Sequence, residues 1–207
     1  MGLAGRKRRL KNFDERAAQF KSALMKGRSP ASKEIGRDFR NITVGAGQHR
    51  RLVIKAKPHH AFVADQLAKM LIADMKAKGT SPKTFVLALP RVTEGGVQEY
   101  FHKPSINSLV EYLYFGKPKK NSIAEYRSIR HRAILKAKQP HDYALCKQFA
   151  NQRQNREITA EQLVEAFDEF NSHLDAMKDG LGRVLSSNII VLGRTKEGKL
   201  RLALVDV

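Results

Sequence analysis

Asn188-Ile189-Ile190-Val191-Leu192, then Gly193-Arg194-Thr195-Lys196-Glu197-Gly198-Lys199, then Leu200-Arg201-Leu202-Ala203-Leu204-Val205-Asp206 is the stretch that decides the fold class. Two runs of β-branched and leucine residues flank a polar turn, Arg194–Lys199, with a glycine in it, which is the pattern of a β-hairpin. Strand alternation puts Leu200, Leu202, Leu204 and Asp206 on one face of the second run, and Arg201, Ala203, Val205 and Val207 on the other.

Working outward, the residues before this hairpin follow a helical period. Thr159 and Gln162 have the spacing of a capping box, and Leu163, Phe167, Phe170, Leu174 and Met177 then recur as one apolar stripe. A shorter helix is expected over 141–151, and another from the Ser122/Glu125 capping box to about Lys136. A third is marked by Ile106, Leu109, Val110 and Leu113. Further upstream, Thr84–Leu89 reads as a buried strand, and Val97–Phe101 as a strand after the Glu94-Gly95-Gly96 turn. Pro58 opens a helix that Gly79 stops, with Val63, Leu67, Met70 and Leu71 on its apolar side. A β pair is expected at Ile42–Val44 and Leu52–Lys57. In front of it Phe13, Ala17, Phe20 and Leu24 mark one short helix, ended by Gly27 and Pro30, and residues 27–40 read as a linker. The fold expected is therefore α+β: a helical middle, strands near the start, a carboxyl-terminal hairpin and a basic helical arm in front. Residues 1–40 are the arm and linker, and 41–207 the α+β domain.

The chain of 207 residues is 42% hydrophobic and 29% charged, ordinary proportions for a folded protein. No run of about 18 apolar residues is present, so no membrane-spanning helix is expected. The amino terminus has no apolar stretch behind its basic cluster, which argues against a secretory signal. Cys146 is the one cysteine and has no internal disulfide partner; it reads as a small buried hydrophobe in a reducing, cytoplasmic or other intracellular compartment.

Charge is the unusual feature. Lysine and arginine number 39 against 20 acidic residues, a formal net charge of +19. Residues 1–60 hold 16 basic and 4 acidic side chains, and residues 117–138 hold 8 and 1; the rest is close to neutral. Self-repulsion on this scale disfavours a compact state unless an anion offsets it. Solubility alone is served by smaller, mixed charge. The expected partner is a polyanion, RNA or DNA, held through its phosphates with little sequence specificity. Candidate contacts are Arg6, Lys7, Arg8, Arg9 and Lys11 in the arm, and Arg50 and Arg51. The second block adds Lys117, Lys119, Lys120, Arg127, Arg130, Arg132 and Lys136. Arg127, Arg130 and His131 share a helix face at spacings of three and four. A basic structural protein of a ribonucleoprotein or virion, with protein partners, is a variant of this reading. An anionic-membrane binder is a third class, since the arm is basic and amphipathic.

No cofactor or metal is expected. His59 and His60 are adjacent and lack ligand-spaced partners, no Gly-x-Ser-x-Gly elbow is present, and Gly45-Ala46-Gly47 is not followed by a Walker lysine.

One order of residues points to a second reading. Gly45–Gly47 precede a strand with Val53-Ile54-Lys55, and far downstream Asn188 opens the hairpin that Asp206 closes. This resembles the protein-kinase fold, with a glycine loop over phosphates, a strand lysine, and an Asn and an Asp that hold the metal. In wording the hairpin and the Val44–Arg51 segment are similar to the small bacterial kinase-fold proteins of the PhoP regulatory network. The resemblance implies a nucleotide site at Lys55, Asn188 and Asp206. It also shows departures: Arg183 stands where a kinase places its catalytic Asp, and the helix after Lys55 has Asp65 but no Glu. Lys55 follows the glycines closely, and Val207 comes one residue after Asp206, so no activation segment is expected. The implied protein is a degenerate kinase-fold member that binds nucleotide or a protein partner without phosphotransfer. Read structurally instead, the hairpin is a plain two-stranded element whose Asp206 frays.

Overall fold

A computed structural model describes residues 3–27, 31–35, 41–45, 51–55, 58–114, 136–137, 139–177 and 184–206. The fold is mixed α and β, with five α-helices and two small sheets among these residues. Contacts divide the chain into two compact units, Met1–Asp65 with Pro90–Phe101, and Gln66–Leu89 with His102–Val207. This division differs from the boundary read at residue 40.

In the first unit, helix α1 (Leu3–Met25) is followed by β1 (Ala31–Ile35), β2 (Asn41–Gly45), β3 (Leu52–Lys55) and β5 (Val97–Glu99). The four strands form an antiparallel sheet in the order β1-β2-β3-β5. The 27–40 linker is thus corrected: Ala31 to Ile35 pair with Gly45 to Asn41. A strand with Ser, Lys and Glu in it has little intrinsic β preference, and the ladder to β2 supplies what propensity lacks. The core of this unit is Phe13, Ala17 and Phe20 from α1 against Leu52 of β3 and Val97 of β5. The spacing read from sequence is what makes that seam. Arg91 lies over the Phe13 ring, 4.9 Å from its centroid, and is held there by the Glu99 carboxylate at 3.1 Å.

Helix α2 (Pro58–Ala77) runs from the first unit into the second, and Gly79 ends it at φ 62°, a left-handed stop of the kind expected. The second unit continues with β4 (Phe85–Leu87), α3 (Ile106–Tyr114), α4 (Pro140–Asn151), α5 (Ala160–Asp175), β6 (Ile189–Arg194) and β7 (Leu200–Leu204). The hairpin β6–β7 forms as read, but it is not a two-stranded element. β4 pairs with β7 in parallel, Phe85 opposite Leu200, to give the order β4-β7-β6. A parallel partner this distant in sequence leaves no turn signal to read. Its presence accounts for the run Leu202-Ala203-Leu204, every member of which is fully buried. The bulge between Val191 and Gly193 bends β6. Gly193 sits there at φ 134°, and a Cβ on it would come within 3.3 Å of Asn155 Oδ1.

The capping box of α5 is present in both directions: Gln162 N–H donates to Thr159 Oγ1 and Thr159 N–H to Gln162 Oε1, each at 3.2 Å. Leu163, Phe170, Leu174 and Met177 are buried as the stripe requires, and Phe167 is half-buried. The helix read over Ser122–Lys136 lies outside the described residues apart from its last position. No described helix is long and apolar enough to cross a membrane.

Candidate functional site

The root of the hairpin gathers polar side chains into an apolar environment. Asn188 and Asp206 are 4% and 5% exposed, although they flank strands made of Ile, Val and Leu. Their positions follow from the ladder. Ile189 faces Leu204, and the next rung is a bond from Val205 N–H to the Asn188 carbonyl at 2.9 Å. Pairing therefore continues past β7, and Asp206 follows its last rung directly. The expectation that a merely structural Asp206 would fray is corrected by this burial. A carboxylate is rarely this buried without a partner, and both Asn188 and Asp206 have interactions beyond the 3.4 Å bond from Ser187 Oγ to Asn188 Oδ1.

Helix α5 positions this root. Asn171 is buried on the face that carries Phe170 and Leu174, and its Oδ1 accepts the Val184 N–H at 3.2 Å. Its Nδ2 donates to the Phe167 carbonyl at 3.2 Å, so one amide ties the helix to the segment that leads into Asn188. Sequence reading missed Asn171. The available signal was a polar residue set directly beside the apolar stripe.

Two further contacts fix the hairpin's surroundings. The Glu169 carboxylate of α5 accepts the backbone N–H groups of Lys83 and Thr84, at 2.7 and 2.9 Å, and the Thr84 hydroxyl. Burial acts to raise the Glu169 carboxyl, but these hydrogen bonds and nearby His173 outweigh it and hold it below the usual carboxylate range. Beside β6, Lys103 Nζ donates to Gln152 Oε1 at 3.2 Å and lies 5.4 Å from the centre of the Phe149 ring. Burial lowers its ammonium from the ordinary lysine value. Cys146 is fully buried on α4, and burial, with Asp142 and Glu111 nearby, pushes its thiol up, as suits an inert core residue.

The remaining candidates are placed as follows. Lys55 is the last residue of β3, opposite Ile42, and belongs to the first unit, whereas Asn188 and Asp206 belong to the second. Among the described residues no group of three or more His, Cys, Asp or Glu side chains gathers as a metal set. Arg6, Lys7, Arg8, Arg9 and Lys11 all fall on α1, in the turns before Phe13. Arg51 is exposed at the start of β3, where its carbonyl accepts the Tyr100 N–H at 2.8 Å. Lys136 is exposed as well. Arg50, Lys117, Lys119, Lys120, Arg127, Arg130, Arg132 and Arg183 lie outside the described residues. Tyr112 of α3 packs edge-on against Tyr143 of α4, with ring centres 5.7 Å apart.

No protein-family model matches this chain, and neither does any curated protein or solved structure.

Proposed function

We propose that this protein binds nucleic acid through the phosphate backbone, with the first turns of α1 as its principal contact. The observation that carries this reading is the construction of α1. Its second half is fixed to the sheet by Phe13, Ala17 and Phe20, and its first half carries Arg6, Lys7, Arg8, Arg9 and Lys11 on the same continuous helix. The first turn has no acidic residue to offset them. Arg6, in the first turn, adds to the positive end of the macrodipole at a cost of about 0.3–1 kcal/mol. Pairs such as Arg6 with Arg9, or Lys7 with Lys11, repel at helical spacing. An arm built only for stability has no use for this arrangement, whereas a phosphate backbone turns each of those costs into attraction. Arg51, exposed in the same unit, is a further candidate contact. The compartment that suits this role is intracellular, where a lone buried Cys146 needs no disulfide partner.

The test is fluorescence anisotropy with mixed-sequence RNA and DNA across a salt series. Log affinity should fall linearly with log salt, at about −0.9 per neutralised phosphate on duplex and about −0.7 on single strand. Absence of binding at about 50 mM salt would remove the reading.

A second reading is favoured by one observation, the burial of both Asn188 and Asp206 at the hairpin root. A degenerate kinase-fold protein would use these two side chains to hold the magnesium of a bound nucleotide. ATP with magnesium should then raise the melting temperature, and Asp206→Ala should abolish the rise. If wild type shows no shift, this reading falls and the first is untouched.

A further inference from the structure

Helix α5 concentrates negative charge in a chain that otherwise carries a large positive excess. No lysine or arginine occurs between Arg156 and Lys178, while Glu161, Glu165, Asp168 and Glu169 fall within little more than two helical turns. That face borders a groove of about 650 Å³, lined by Val110 of α3 and by Ala160, Val164, Glu161, Glu165 and Asp168 of α5. Lys83 is the one cation on its lining. Val164 is 45% exposed there, on a helix whose opposite side is packed with Leu163, Ala166 and Phe170. Glu161 and Glu165 stand one helical turn apart, as do Glu165 and Glu169, so like charges are held at repelling distance. Half-open valines beside the exposed carboxylates of Glu165 and Asp168 match a ligand that is both basic and apolar.

We infer that this groove receives the segment Leu3–Lys11 of a second copy of the chain. The segment carries five cations and no acid, with Leu3 and Leu10 supplying apolar contacts. As a helix it is about 13 Å long, against about 10 Å from Glu161 to Asp168. A contact between unlike surfaces of identical chains is heterologous: copies add head to tail, or close as a dimer where two arms are exchanged reciprocally. Charge complementarity selects this occupant, and salt screens it. The inference does not rest on the nucleic-acid reading, because it needs only protein.

Sedimentation velocity of the full chain, freed of nucleic acid, tests it. At about 0.05 M salt the weight-average sedimentation coefficient should rise over about two decades of protein concentration, and at about 0.5 M salt the rise should vanish. The exposed pair Glu165→Lys and Asp168→Lys should abolish the rise at low salt while leaving the melting curve in place. A chain carrying Arg8→Glu and Arg9→Glu should also stay monomeric alone. Combining all four changes in one chain should restore association, because the charges are then complementary again with the signs exchanged. A wild type that stays monomeric at low salt overturns the inference, as does a groove variant that associates as well as wild type.

Discussion

The Val184 backbone N–H donates to Asn171 Oδ1 at 3.2 Å, and through that bond helix α5 sets the start of the chain's path into Asn188. The same side chain satisfies the Phe167 carbonyl, so a single amide serves both a helix and the segment beyond it. Removing it leaves a buried N–H without its partner, which costs about 1–3 kcal/mol. Asn171→Ala should lower the melting temperature by about 2–4 °C for each kcal/mol lost. Scanning calorimetry measures the drop; an unchanged midpoint would show that the bond contributes nothing net.

The Glu169 carboxylate makes stability depend on acid. Burial pushes its carboxyl up, but bonds from Thr84 and Lys83 and the nearby His173 leave it below its ordinary value. A group with a depressed native pKa stabilises the fold above its unfolded value and loses that contribution as pH falls through the native one. Glu169→Gln should therefore be less stable than wild type near neutrality, and the gap should narrow below about pH 4. Melting curves across pH 3 to 7, roughly the window set by carboxylate titration, check the sign. A gap that widens in acid would contradict the mechanism.

Much of this second unit was legible because its signals are local. The Thr159/Gln162 box formed both of its bonds, Gly79 took the left-handed stop, and the hairpin kept the strands read for it. The partner of the hairpin was not legible, since β4 joins β7 across more than a hundred residues and leaves no turn between them. The strand Ala31–Ile35 hid inside a polar stretch for a related reason, because its pairing with β2 decides its conformation and its composition does not. Burial of Asp206 is another non-local effect: the rung from Val205 to Asn188 extends the ladder to the strand's end. Charge blocks were plain from sequence, yet their geometry depends on what lies beneath them. Only the structure shows that the helix carrying the first block is clamped by Phe13 and Phe20.

That clamp separates stability from charge along one helix. Phe20 is fully buried against Leu52 and Val97, so Phe20→Ala should cost about 3–5 kcal/mol. Deleting residues 1–12 spares Phe13, Ala17 and Phe20, and should move the melting temperature by no more than a few degrees. Thermal denaturation of the two variants side by side measures the contrast. A truncation as damaging as Phe20→Ala would place the basic turns inside the structural core.

The same truncation also tests how the arm meets a polyanion. Each arm cation that neutralises a phosphate releases a counterion, so loss of Arg6, Lys7, Arg8, Arg9 and Lys11 should flatten the log–log salt dependence by up to about 4.5 on duplex DNA. Affinity should fall by a similar factor on every sequence, since phosphate contacts carry no base information. The helix itself gives an independent readout. Its first turns hold repelling cations at the positive end of the macrodipole, and a bound phosphate backbone relieves both effects. Circular dichroism at 222 nm, the band that follows helix content, should therefore gain intensity when wild type is titrated with short duplex at low salt, and the truncated chain should gain none. An equal gain in both chains would place the contact elsewhere, with Arg51 and Lys136 the exposed cations to substitute next.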